Sequence, residues 1–305
     1  MQHIGVLLAG LAVLSGGFSR AGAQEAAGAA LWRLAGTTLP VPPALATGTA
    51  AAFWNPAQTD DSARTQLALE GIQTPTAIGA SGVLTAVRVR ARSLGYVGLV
   101  YGRVGLSDLT RTGDSPDPIG TAVPVYTYAL GVTWSRAVGG TAVGATLAYH
   151  QTRLDAAQSA RWTLDAGVSR DLVAGGALRV AAATHFLSSF SASDPAQDLY
   201  AGIEARLWRG PLWGDFATVR GRYGLAFGHG FAADHQLGLG LDLGRGGIVA
   251  LDAGVVREGS YGTEGWRPVA GVRLAIGKYR ITLARDAGLN ALGAAYRVGV
   301  NARFQ

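Results

Sequence analysis

From about residue 64 to the C-terminus, apolar and polar side chains alternate with a period of two. Val87, Val89 and Ala91 interleave with Arg88, Arg90 and Arg92. Successive side chains of an extended strand leave on opposite faces, so this stretch has one apolar and one cationic face. Trp162, Leu164, Ala166 and Val168 likewise alternate with Arg161, Thr163 and Asp165. Leu199, Ala201, Ile203, Ala205 and Leu207 alternate with Glu204 and Arg206, and Leu237 to Leu243 with Asp242. The last such segment sets Tyr296, Val298, Val300, Ala302 and Phe304 against Arg297, Asn301 and Arg303. A helix would mix the two classes on each face. About fourteen segments of roughly 9–13 residues can be placed, the length a tilted strand needs to cross a bilayer. Their centres fall near residues 68, 87, 99, 129, 146, 165, 181, 203, 221, 239, 252, 271, 282 and 298.

The connections between these segments alternate in length. Short ones fall at Arg92–Leu94, Val138–Gly140, Ala174–Gly176, Gly244–Gly247 and Gly277. Longer, polar ones fall at Ser107–Gly120, Asp155–Ala160, Ser188–Asp198, Gly228–Asp234 and Glu258–Gly265. Tight turns on one side and longer loops on the other mark an outer-membrane barrel, with the turns facing the periplasm. A soluble sandwich also has many alternating strands, but its outward faces are usually richer in charge. Here charged residues are only 15% of the chain, against about 25% in ordinary soluble domains. In lipid every backbone polar group must be paired, which strands achieve only by closing on themselves. Trp134, Tyr149, Trp162, Trp208, Tyr279 and Phe304 lie near strand ends, where interfacial aromatic girdles belong. The expected fold is therefore an all-β transmembrane antiparallel barrel over residues 64–305.

The first residues read as an export signal. Ile4 to Leu14 is an apolar run too short to span a bilayer, followed by the small-residue site Ala21-Gly22-Ala23. Cleavage before Gln24 is expected, although the segment before the apolar run lacks Lys and Arg. The localisation that follows is the outer membrane of a Gram-negative-type cell. The chain has no Cys.

The net charge of +6 does not point to nucleic acid. Its arginines are scattered along the strands rather than gathered in a patch. No H-E-x-x-H, G-x-S-x-G or P-loop pattern is present, and the five His residues lack metal spacing. Neither a metal nor a cofactor is expected, and the chain is not expected to be an enzyme. His150 and His185 lie toward the outer ends of the fifth and seventh strands, where the plain reading is solvated polar residues. The inward charges offer more. Arg88, Arg90, Arg92, Arg161, Arg206, Arg220, Arg222, Arg273, Arg297 and Arg303 share faces with Glu70, Asp165, Glu204 and Asp242. They either form a cationic lumen that favours anionic solutes or pair across strands and hold a plug. The sequence favours pairing.

Residues 24–63 lack strand periodicity and end in Phe53-Trp54-Asn55-Pro56-Ala57. A small-residue run leading into an aromatic pair and Asn-Pro-Ala, just before the first strand, resembles the FadL/PorV superfamily. That resemblance implies fourteen strands and an N-terminal hatch tucked into the lumen, held by Phe53, Trp54, Asn55, Pro56 and Ala57. Asn and Pro favour a turn, and the Asn side chain both donates and accepts. The resemblance also implies passive uptake of small hydrophobic or amphipathic molecules, with Asn55→Ala altering uptake but not assembly. Its PorV side implies instead a secretion-pathway barrel that receives exported proteins, and a structural barrel without transport is a third reading. The expected partners are outer-membrane lipid, a small hydrophobic ligand or secretion-system proteins, and the barrel-insertion machinery. The last of these recognises aromatic-ended final strands, resembled here by Phe304-Gln305.

Overall fold

A computed structural model describes residues 28–305, except 58–62, 76–78, 108, 113–117, 188–196, 213–214, 229–232, 245–246, 259–264 and 289–292. The export signal expected over residues 1–23 lies outside the described residues, as do parts of four of the longer loops. The described residues form sixteen strands. These are β1 (Thr65–Gln73), β2 (Ala80–Arg90), β3 (Tyr96–Leu106), β4 (Thr110–Thr112), β5 (Pro118–Ala122), β6 (Val125–Val138), β7 (Thr141–Leu154) and β8 (Ala157–Val173). There follow β9 (Leu178–Leu187), β10 (Asp198–Leu212), β11 (Asp215–Gly228), β12 (Asp234–Leu243), β13 (Val249–Glu258), β14 (Gly265–Ile276), β15 (Tyr279–Asp286) and β16 (Ala295–Phe304). All but β4 and β5 join one closed barrel in which β16 returns to pair with β1. Each of the fourteen expected centres falls within a barrel strand.

Closure is antiparallel, from Thr65 opposite Phe304 to Gln73 opposite Tyr296. The even strand count returns the C-terminus to the rim where β1 begins, the rim that also carries the short turns. By the usual arrangement this is the periplasmic side. The outer face carries the exposed large apolar side chains, among them Leu69, Leu99, Leu130, Leu147, Leu239, Val298 and Leu283. Two aromatic belts border them. Trp134, Trp208, Tyr279 and Phe304 stand toward the short-turn rim, and Trp162, Trp266 and Tyr296 toward the other. Tyr149 packs on Trp162 with ring centroids 5.5 Å apart. Tyr296 and Phe304 lie eight positions apart on one strand, about 27 Å along it. A tilt of about 40° reduces this to roughly 21 Å along the barrel axis, close to the ~25 Å apolar band of such barrels.

The structure departs from the sequence expectation at three places. Asp155–Ala160 is not a loop. Thr152 pairs with Ser159 and Leu154 with Ala157, leaving a two-residue turn in which Asp155 takes the left-handed conformation at φ 55. Ladder hydrogen bonds outweigh the polar composition that resembled a loop. The Ser107–Gly120 connection carries the small β4–β5 hairpin, tied to the β7–β8 turn by an Arg111–Asp155 ion pair. Five barrel strands also exceed the expected length, β8 reaching 17 residues and β10 reaching 15, while β15 has only 8.

Residues 28–57 run inside the barrel. The helix α1 (Ala29–Thr37) is followed by single 3-10 turns at Pro43–Leu45 and Thr49–Phe53. Trp32, Ala35, Leu39, Phe53 and Trp54 form one buried cluster with the inward residues Ala68, Leu84, Val100 and Phe186. Ala44 and Leu45 form a second with Ala181, Ala183 and Tyr200. Wall glycines make this approach possible. A β-carbon on Gly167 would strike the Asn55 amide, and one on Gly144 would strike the Pro56 backbone.

Candidate functional site

The candidate site is the junction between this inner segment and the wall. Pro56 and Asn55 shape one end of it. Asn55 is fully buried, its Nδ2 donating to the Ala44 carbonyl at 2.7 Å and its Oδ1 accepting from the Ala57 amide at 3.0 Å. Both halves of the side-chain amide are thus used to fold the segment on itself. Phe53 stacks on Trp32 with centroids 6.1 Å apart. Trp54 lies near His185, and Arg297 sits over its ring.

Wall cations grip the segment at the points where its backbone lacks partners. The last carbonyls of a helix have no intrahelical donor, and a cation there also complements the helix dipole. α1 has no basic residue in its own last turn. Arg297 supplies the charge instead, donating to the Ala35 carbonyl, to Thr38 Oγ1 at 3.0 Å and to Glu70 Oε2 at 2.5 Å. Arg267 donates to the Thr37 carbonyl at 3.3 Å while pairing with Glu258 at 3.2 Å and with Asp286. Arg88, fully buried, donates to the Pro56 carbonyl at 3.1 Å and to Ser135 Oγ at 2.7 Å. From the segment's own side, Arg33 reaches Asp198 at 2.7 Å.

The histidines are wall residues turned inward. Between β8 and β9 the register slips, so that His185 and Phe186 together oppose Asp165. Phe186 adopts φ 58, and its amide donates to Asp165 Oδ1 at 2.9 Å. Such a bulge re-aims side chains, and here both residues are buried in the lumen. His185 Nε2 lies 2.7 Å from the Trp54 carbonyl and its Nδ1 lies 3.5 Å from Asp165. His150 contacts Trp32 and Phe186 edge-on. The expectation that these histidines are solvated is corrected: both are among the buried residues.

Two cavities flank the segment. Toward the long-loop rim, one of about 110 Å³ is lined by Leu34, Pro43, Leu225, Ala226 and Val256, with Arg33, Tyr200 and Arg267 adding polar groups. Deeper, a small one of about 20 Å³ is enclosed by Trp32, Phe53, Trp54, His150, His185 and Phe186. Among the described residues, no group of three His, Cys, Asp or Glu stands where it could hold a metal.

The remaining inward charges divide by height. Arg220 pairs with Asp242 at 3.0 Å and with Glu204 at 3.3 Å. Arg222 pairs with Glu204 at 2.6 Å and with Asp252, which also faces Arg273 at 3.7 Å. Arg206 donates to the Gly175 carbonyl at 3.0 Å. Arg161 stands opposite His150, half-buried, and Arg303 opposite Gln66 near the end of β16. Arg90 and Arg92 do not belong to the buried lumen. Arg90 is exposed at the last position of β2, and Arg92 is exposed in the β2–β3 turn at φ 37. Arg90 keeps the parity of Arg88 opposite Tyr96 but stands at the open rim, whereas Arg92 lies beyond the strand, where alternation no longer applies. Nothing in the sequence marks Arg33, Arg267 or Asp198 as site residues, and His185 reads from it only as a solvated residue. Arg267 shares the Arg/Glu/Asp vocabulary of the other strands, and nothing local marks it as a helix cap.

No protein-family model matches the sequence, and none of the curated proteins matches it significantly. The fold itself has solved counterparts. The Pseudomonas putida toluene transporter TodX superposes with a TM-score of 0.52 at 12% identity, covering 92% of this chain and 97% of that one. The Ralstonia pickettii toluene transporter TbuX gives 0.50 at 14% identity, covering 85% and 94%. The likeness is therefore one of fold: a closed fourteen-stranded antiparallel barrel similar to those of these two transporters.

Proposed function

We propose that this protein is a non-enzymatic outer-membrane barrel that lets small hydrophobic or amphipathic molecules pass passively, with residues 28–57 acting as the hatch. The observation that carries this reading is the cavity near the long-loop rim. It measures about 110 Å³, its walls are apolar on the inner-segment and strand sides, and Arg33 and Arg267 stand beside it. Apolar cavities on the order of 150 Å³ accept a benzene-sized guest. The space is of that order and suits a short alkyl chain or small ring, while the two guanidiniums beside it are held by Asp198 and by Glu258 and Asp286. The named transport of toluene by two barrels of this fold supports the same substrate class. Passage requires the hatch to yield, and its grip is polar: Arg297, Arg267, Arg88 and His185 hold it through backbone carbonyls.

Native mass spectrometry of protein gently extracted from its own membrane tests the proposal. A retained small amphiphile, lost in an Ala226→Phe variant that fills the cavity, is the expected result. Co-purified exported proteins with an empty lumen would overturn it in favour of a secretion role.

A further inference from the structure

The periplasmic mouth of the barrel holds more cation than its carboxylates neutralise. A recess of about 430 Å³ is lined by Arg179, Arg206, Arg209, Arg220, Arg222, Arg273 and Arg280. It continues into a second recess of about 470 Å³ that shares Arg179, Arg220 and Gly175. Four carboxylates, Glu204, Asp242, Asp252 and Asp171, pair with four of these arginines, Arg179, Arg220, Arg222 and Arg273. Arg206 and Arg209 pair with none of these carboxylates, so among the described residues two positive charges remain in excess at this mouth.

The strand pairing makes the excess sharper. Arg206 and Arg220 are direct cross-strand partners on the same inward face. Like charges placed opposite one another destabilise a sheet. Among the described residues Arg206 meets only the Gly175 carbonyl, a neutral acceptor, through the hydrogen bond described above. Arg209 is present on this face because the β10–β11 register shifts between Arg206 and Trp208. The extra residue, Leu207, goes outward with Trp208, and Arg209 then faces inward beside Thr218, its guanidinium 4.9 Å above the Phe216 ring. Without the bulge, the alternation would send Arg209 to the lipid side. The sheet is thus distorted in a way that adds a cation to a face already rich in them.

We infer that this vestibule is a binding site for a soluble, multiply charged oxyanion, one bearing phosphate or carboxylate groups at more than one position. Guanidinium forks match the planar geometry of such groups and hold them bidentately, and rings of arginine favour anions in pores. The recess is of the size that takes a small-molecule ligand. The arginines point into the lumen, away from lipid, so the ligand is a solute rather than a headgroup. This inference does not rest on the transport reading: the inner segment meets the vestibule at Thr47, whereas the apolar cavity lies against residues 33–43.

The test is isothermal titration of the full-length protein in a neutral maltoside detergent with inorganic pyrophosphate, at fixed ionic strength. Saturable binding at one site is expected, with chloride failing to replace pyrophosphate at the same ionic strength. Arg206→Gln and Arg209→Gln should each weaken it about tenfold, while Arg111→Gln on the opposite rim leaves it unchanged. Heat-modifiable migration on gels confirms that each variant is a folded barrel. Heats that do not saturate, or an affinity the same in Arg206→Gln and Arg209→Gln as in the parent, would overturn the site.

Discussion

Replacing Arg297 by methionine tests whether the wall holds the inner segment by charge. The side chain is 2% exposed and contacts Glu70, Thr38 and Ala35 at once. Methionine keeps most of the stem's volume and removes all three donors. Glu70, itself buried, would then stand without its partner, a loss of about 3–5 kcal/mol for a buried pair broken from one side. The Ala35 carbonyl and Thr38 hydroxyl lose a donor each, about 1 kcal/mol apiece. Water entering the lumen can rehydrate these groups, so the low end, about 3 kcal/mol, is the value to carry forward. At 1.4 kcal/mol per tenfold this raises the undocked fraction of the segment by more than about 100-fold. Hydrogen exchange read by mass spectrometry over residues 29–39 should accelerate accordingly, with the strand amides as internal reference. Pairing the change with Glu70→Leu removes the stranded carboxylate and should return most of the protection. Unchanged exchange in Arg297→Met would refute the clamp, and so would simultaneous loss of protection in every strand.

Two contrasts probe the wall itself. Gly167→Ala places a methyl against the Asn55 amide and should lower the thermal midpoint, whereas Gly71→Ala, with open space outside it, should be neutral or stabilising by about 0.5–1 kcal/mol. A lower midpoint for Gly71→Ala would place that residue on the wrong face. Leu239, exposed at mid-strand on the lipid side, should cost about 2–4 kcal/mol as Leu239→Arg in urea titrations of vesicle-folded protein. A cost near zero would mean that this stretch of β12 does not lie at the bilayer centre.

Much of the architecture was legible in the residues, because a strand's two faces are a property of its own backbone. Alternation about Val87 or Leu239 states which side chains share a face without reference to any other strand. Turn residues such as Gly139–Gly140 and Gly277, at positive φ, fix where the chain reverses. Those two local signals were enough to place all fourteen barrel strands and the lipid-facing surface. Where a strand ends, local signals mislead: Arg92 continues the pattern of Arg88 and Arg90 but lies in the turn beyond β2. The Asp155 turn failed for a similar reason, since polar residues that pair with a neighbouring strand cannot be told from loop residues until the neighbour is known.

What fills the lumen was decided only in three dimensions. Arg297 meets Ala35 across 262 residues, and Arg88 meets Pro56 across 32. Such contacts depend on the register of fourteen strands and the path of the inner segment together. The bulges at His185–Phe186 and Leu207 reverse the parity that alternation assigns, bringing Phe186 and Arg209 inward. Phe53 to Ala57 drew notice as a motif, yet Asn55 gives both its hydrogen bonds to its own segment, and the grip on the wall falls to arginines on distant strands. Alternation and turn residues alone dictate a closed barrel with an apolar outside. Which inward charge holds the hatch, which pairs with a neighbour, and which remain in excess at the periplasmic mouth follow from long-range geometry, because a charge's partner is set by what lies across the lumen and not by what adjoins it in the chain.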